Sequence, residues 1–229
     1  MITKKLFVAG IFLVVTGFSF SQSILQPNYA LKSHETLQIR KIEITSYSTV
    51  IFLSVENQTT GGYFCADKNI FIINPDGTRS KLISSSGIPV CPETYKFKAI
   101  GEKLNFVLTF PPLKSGIGWI DLTEDCNDNC FSFYGVVLDT LLNKKIDAAF
   151  VLAENKEPVL ALDGFIDILN KVGNKNQGVE GLLYINIIKL AKETGNLSKA
   201  SEWYFRLKSS GTPEVSRYVK YLNDQGIIF

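Results

Sequence analysis

Three features of the chain predict an α+β fold in which an antiparallel β-sandwich precedes a small, segregated all-helical domain. Short β-branched and aromatic runs fill residues 35 to 139. Turn residues separate them at short intervals, as in antiparallel sandwiches. At Asp139 the apolar period changes to that of helices and keeps it to the end.

The chain opens with "MITKKLFVAGIFLVVTGFSFSQS", in which Lys4 and Lys5 precede an apolar run from Leu6 to Phe18 and the small residues Ser19 and Ser21. This is the form of a secretory signal, and cleavage is expected after Ser21. The expected boundaries are a signal peptide at 1–21, the β-sandwich at 22–139 and the helical domain at 140–229. A spanning helix needs roughly 20 apolar residues. The leader run is shorter and no later run exceeds it without a charge, so no membrane insertion of the mature chain is expected. No cysteine follows the leader closely, which argues against lipid attachment there. The expected location is exported, periplasmic or secreted. Without Lys4 and Lys5, the 24 basic residues match the 22 acidic ones in number. A neutral chain makes no global field for nucleic acid or anionic lipid, and no nucleic-acid partner is expected.

Each strand has its own signal. "ETLQIRKIEIT" alternates at Leu37 and Ile39, slips by one residue and resumes at Ile42 and Ile44, as a β-bulge requires. "TVIFLSVEN" and "KLNFVLTF" are β-branched and aromatic runs of strand length. "NIFIINPDGTRSKLI" is a hairpin turning at Pro75-Asp76-Gly77, where proline presets φ and glycine accepts a positive one. "GWIDLTE" and "CFSFYGVVLD" complete some seven or eight strands, with Trp119 expected in the sandwich core and "SSSG" at Ser84 to Gly87 as a flexible loop.

The helices follow by their caps. "DTLLNKKIDAAFVLAEN" takes Asp139 or Thr140 as cap, and "EPVLALDGFIDILNKVG" has Pro158 in its first turn and Gly173 as stop. "GVEGLLYINIIKLAKETG" and "NLSKASEWYFRLKSSG" form an amphipathic pair, and "TPEVSRYVKYLNDQG" closes the chain with Thr212 as cap.

Two stretches resemble known families. Ala200, Tyr204 and Leu207 repeat the offsets of Ala161, Phe165 and Ile168, with Tyr184 and Ala191 on the preceding helix and Gly195-Asn196 at the turn. This resembles the tetratricopeptide motif, although the two copies are further apart than its usual period of about 34 residues. The resemblance implies that Ile185, Lys189 and Lys192 face a concave peptide groove, where the two lysines could take a peptide carboxylate. "LNFVLTFPPLKSGIGWIDLTED" followed by "CFSFYGVVLD" resembles an immunoglobulin-like module of exported bacterial proteins. That likeness implies scaffold and location and carries no chemistry.

The cysteines are Cys65, Cys91, Cys126 and Cys130. An even number in an exported chain reads first as disulfides, and the short spacing favours Cys126 with Cys130, leaving Cys65 for Cys91. Dithiol exchange normally uses Cys-x-x-Cys at a helix start, and a four-cysteine zinc site needs paired short spacings. Calcium is the alternative on the same loop, where Asp121, Glu124, Asp125 and Asp128 offer hard oxygen ligands without the EF-hand spacing. The sole histidine, His34, excludes histidine-cluster chemistry, and no Gly-x-Ser-x-Gly elbow or glycine-rich phosphate loop is present. No catalytic residue is assigned and no cofactor is expected, calcium being the possible exception. The expected function is non-catalytic binding of a protein or peptide partner in the cell envelope, through the helical face. A hydrolase or carbohydrate-processing enzyme with its site on the sandwich loops is the alternative, and a calcium-dependent binding module is a second.

Overall fold

The computed structural model describes residues 21–127, 129–172 and 177–229. The expected signal peptide, apart from Ser21, and the candidate ligand Asp128 lie outside these residues. The chain is mixed α+β, with antiparallel sheets in the N-terminal part and, among the described residues, five helices in the C-terminal part. In chain order the strands are β1 (Ser21–Leu25), β2 (Leu31–Lys32), β3 (Gln38–Thr45), β4 (Thr49–Glu56), β5 (Tyr63–Phe64) and β6 (Ile70–Ile73). They continue as β7 (Arg79–Lys81), β8 (Ser84–Ser86), β9 (Tyr95–Lys96), β10 (Lys103–Phe110), β11 (Trp119–Glu124) and β12 (Ser132–Val137).

One five-stranded sheet has the order β1-β3-β4-β10-β8, the other β2-β12-β11-β6-β7, and β5 with β9 makes a separate two-stranded ribbon. Alternation explains the inward faces. On β10, Leu104, Phe106, Leu108 and Phe110 are buried while the residues between them face outward. On β3 the register shifts between Ile39 and Lys41. That single slip keeps Ile39, Ile42 and Ile44 all buried, which strict period-two pairing would forbid. The hairpin from β6 to β7 turns at Gly77, with φ +78°. Asp76 there accepts hydrogen bonds from the Thr78 N–H and hydroxyl. Inward residues of both five-stranded sheets form one apolar cluster, including Ile42, Leu53 and Phe106 from the first and Ile72, Leu122 and Phe133 from the second.

The helices are α1 (Thr140–Glu154), α2 (Pro158–Val172), α3 (Gln177–Glu193), α4 (Leu197–Ser209) and α5 (Val215–Asp224). Asp139 caps α1, its carboxylate accepting from the Leu141 and Leu142 N–H groups. The packing triplets of the repeat-like pattern are all buried, Ala161, Phe165 and Ile168 on α2 and Ala200, Tyr204 and Leu207 on α4. Helix α3 lies centrally, packed on α2, α4 and α5 and also on β11 and β12.

Three expectations change. Thr212 is not the cap of α5: Glu214 occupies that position at φ +60°, and its carboxylate accepts from the Arg217 side chain and not from the first backbone N–H groups of the helix. The Thr212 hydroxyl is committed elsewhere, donating to Glu180 Oε2 at 2.9 Å from a buried site. "SSSG" is not a loop throughout, because Ser84–Ser86 pairs as an edge strand with Val107 to Thr109. Trp119 belongs to the helical core cluster and not to the core shared by the sheets.

That last difference marks a seam between the two parts, which follow one another in sequence and share a buried interface. Trp119 and Val137 are buried together with the helical side chains. The Trp119 indole lies against Gly178 of α3 so closely that any β-carbon at that position would overlap it. Gly135, at φ +64°, is approached in the same way by the Gly178 carbonyl. Asn143 on α1 is 6 % exposed, and its amide accepts from the Asn28 N–H at 2.8 Å and donates to the Val137 carbonyl at 2.9 Å. These bonds satisfy backbone groups at the end of β12 that burial would otherwise leave unpaired.

Candidate functional site

Cysteines of both disulfides line one cavity in the β-part. Cys65 is joined to Cys91 and Cys126 to Cys130, with Cα–Cα distances of 5.4 and 5.6 Å. Described cysteines are all bonded in this way. Two disulfides suit an oxidising environment. Among the described residues no helix is long and apolar enough to cross a membrane.

A cavity of about 430 Å³ opens beside these bonds and is lined by His34, Tyr63, Phe64, Asp67 and Glu124 together with Cys65, Cys91, Cys126 and Asn129. Glu124 is a latch between loops. Its Oε1 accepts from the Asp67 N–H at 2.6 Å and its Oε2 from the Phe131 N–H at 3.0 Å. Burial pushes its carboxyl above the usual range, against the pull of those two donors. His34 is held through Nδ1 to the Ser33 hydroxyl at 2.8 Å and edge-on to Phe64, and burial lowers its pKa. The Ser33 hydroxyl also accepts the Ser132 N–H, so this serine bridges β2 to β12.

The acidic residues singled out in the sequence have separate surroundings. Asp121 is buried on β11 and accepts the Gly135 N–H at 2.6 Å, on the side of the sheet that meets α5. Burial raises its pKa to about 6. Glu124 faces the disulfide cavity, and Asp125 is exposed at 3.5 Å from Arg79. Among the described residues no three His, Cys, Asp or Glu side chains are grouped so as to hold a metal ion.

The residues expected to line a peptide groove on α3 stand differently from that expectation. Ile185 is buried in the helical core. Lys192 donates to the Gly226 carbonyl at 2.8 Å, just beyond α5, and Lys189 reaches the Tyr221 hydroxyl of α5 at 3.4 Å. The chain's own last helix and the turn after it therefore border this face. Both lysines are exposed, but their ammonium groups are engaged within the molecule.

A free apolar groove lies elsewhere, between α1 and α2. It measures ≈ 440 Å³ and is lined by Leu141, Leu142, Ala148, Leu152, Ile168 and Val172, together with the charged Asp139, Lys145, Asp167 and Lys171, the last two ion-paired at 2.6 Å along α2. Leu141, Lys145, Ala148 and Leu152 share one face of α1 by their helical spacing. Leu142, Ile146 and Ala149 form the neighbouring face and are buried. The signal was present in the sequence: α1 carries apolar residues over more of its circumference than one core face requires. Comparison with protein-family models, curated proteins and solved structures finds no match to this chain.

Proposed function

We propose that this is an exported, non-catalytic binding protein of the cell envelope, in which an immunoglobulin-like β-sandwich carries a tetratricopeptide-like helical domain that receives a protein partner. The observation that carries the reading is the groove between α1 and α2, whose apolar floor no other part of the described chain fills. Its occupant is an amphipathic helix of the partner. The α1 side of the groove runs from Leu141 to Leu152, about 16 Å at roughly 1.5 Å per residue, which matches about three turns of a docked helix. The rim charges are balanced, so apolar anchors at helical spacing and not net charge would select it. The shared core of the two sheets and the two disulfides support the sandwich as a rigid scaffold. The Ser33 hydroxyl, beside His34, accepts the Ser132 N–H and so helps join β2 to β12, which supports a structural role for this serine.

Leu141→Glu, at a side chain 64 % exposed, places a charge in the groove without emptying a core. Capture of a discrete envelope partner is expected to be lost in this variant with the melting temperature kept, and unchanged capture would remove the groove from the reading. Turnover of a generic ester, glycoside or peptide substrate by the purified protein would replace binding with the hydrolase reading.

A further inference from the structure

The cavity at the disulfide end is independent of the α1–α2 groove and has a chemistry of its own. Its walls are aromatic: Tyr63, 66 % exposed at the mouth, then Phe64 and the His34 ring, the last two meeting at 84° with centroids 5.9 Å apart. Two carboxylates, Asp67 and Glu124, complete the lining, and neither neighbouring lysine, Lys68 or Lys96, belongs to it. From this combination we infer that the cavity binds an organic ammonium ion, an alkylammonium head carried by a lysine side chain or by a free amine.

The physical grounds are three. Ring faces attract a cation through their quadrupole, and the exposed Tyr63 ring at the mouth offers such a surface beside the His34–Phe64 pair. A carboxylate has about four acceptor directions, and Glu124 spends one on each oxygen, so acceptor capacity remains for an ammonium N–H. Asp67 spends Oδ1 on the Asn69 N–H at 2.7 Å. The histidine contributes no opposing charge at neutral pH, because burial lowers its pKa from an ordinary value already below 7. A hard metal ion would find fewer oxygen ligands than it needs among these rings and sulfurs.

The two disulfides matter for preorganisation. Cys65 and Cys91 tie the segment just after β5 to the segment before β9, and Cys126 is joined to Cys130 after β11. Both bonds contribute lining atoms. A cavity fixed in this way loses little freedom when a ligand enters.

The test is calorimetric titration of the disulfide-intact mature chain with n-butylammonium, with Nα-acetyl-lysine methylamide, and with the uncharged isostere Nα-acetyl-norleucine methylamide. Saturable binding of at least one ammonium probe is expected, about tenfold or more tighter than the isostere. Preference for the lysine amide assigns the natural ligand to a peptide, and preference for n-butylammonium assigns it to a free amine. Asp67→Asn keeps an oxygen for the Asn69 N–H and is expected to weaken binding at least about fivefold, as is Tyr63→Ala, which removes an exposed ring and no core contact. Leu141→Glu, at the far groove, is expected to leave it unchanged. Equal binding of charged and uncharged probes, no saturable binding of either ammonium, or full binding by both cavity variants would each overturn the inference. A response to calcium alone would overturn it in favour of the metal.

Discussion

Asp121→Asn isolates the electrostatics of the seam. Asp121 is 7 % exposed, accepts the Gly135 N–H, and feels Glu214 and Arg217 of the α5 region across the interface. Desolvation is the largest influence, and it lifts the carboxyl from 3.8 to about 6. The protonated form is thus the one the folded state prefers. Because the folded pKa lies above the unfolded one, the associated stability is full below about pH 4 and is lost as pH rises through about 6. At about 1.4 kcal/mol for each pH unit, the loss across that window is about 3 kcal/mol. Asparagine keeps the oxygen that Gly135 donates to and cannot ionise. Urea unfolding of both proteins between pH 4 and pH 8 reads the difference through the fluorescence of Trp119 and Trp203, which are both buried in the helical core cluster. The wild type is expected to weaken relative to the variant by about 3 kcal/mol over this range, so that the variant is the more stable protein at neutral pH. Parallel stability curves would refute the placement of a desolvated carboxyl at the seam.

Other perturbations probe the packing and the bonds. Gly178→Ala forces the Trp119 indole to move and is expected to cost about 1–3 kcal/mol, while Gly164→Ala on α2 meets only the Ala149 methyl at an ordinary 3.5 Å and should gain up to about 1 kcal/mol. Thermal unfolding of the two variants checks both signs. Serine at Cys65 and Cys91 opens a loop with a sequence separation of 26, against 4 for Cys126 and Cys130. Chain entropy then gives losses of about 3.5 and about 2 kcal/mol, and denaturant midpoints should rank them in that order. Asp139→Ala removes the acceptor for two N–H groups at the start of α1 and is expected to cost about 1 kcal/mol in the same assay.

The long strands and all the helices were legible because period and caps are local properties of the chain. The slip in "QIRKIEIT" appeared in the sequence and appears in the register, since only a bulge keeps its isoleucines on one face. The short strands β1, β2, β5, β8 and β9 were not legible, because two to five residues carry too little alternation to separate a strand from a loop. Thr212 illustrates a different limit. A threonine before a proline is a good cap by local rules, but a partner 32 residues away, Glu180, holds its buried hydroxyl. Trp119 was readable as a core residue, yet alternation cannot say which side of a two-faced sheet meets a helix, and Gly178 supplies the answer from elsewhere in the chain. The surroundings of the candidate site residues are likewise set by distant parts of the chain. Lys189 and Lys192 share a face by spacing, and the structure brings their ammonium groups to Tyr221 of α5 and to Gly226 just beyond it. The disulfide cavity joins His34, Tyr63, Asp67 and Glu124 from three separate segments, which only the fold brings together.

The most direct measurement is site-specific photo-crosslinking in the native envelope, with the reactive side chain placed at Ala148 in the α1–α2 groove and, in separate proteins, at Lys189 and at Phe205. A discrete adduct from Ala148, lost when Leu141→Glu is added and absent from the other two positions, is the expected result. An adduct from Lys189 or Phe205 without one from Ala148 would contradict the account and move the partner to another face of the helices.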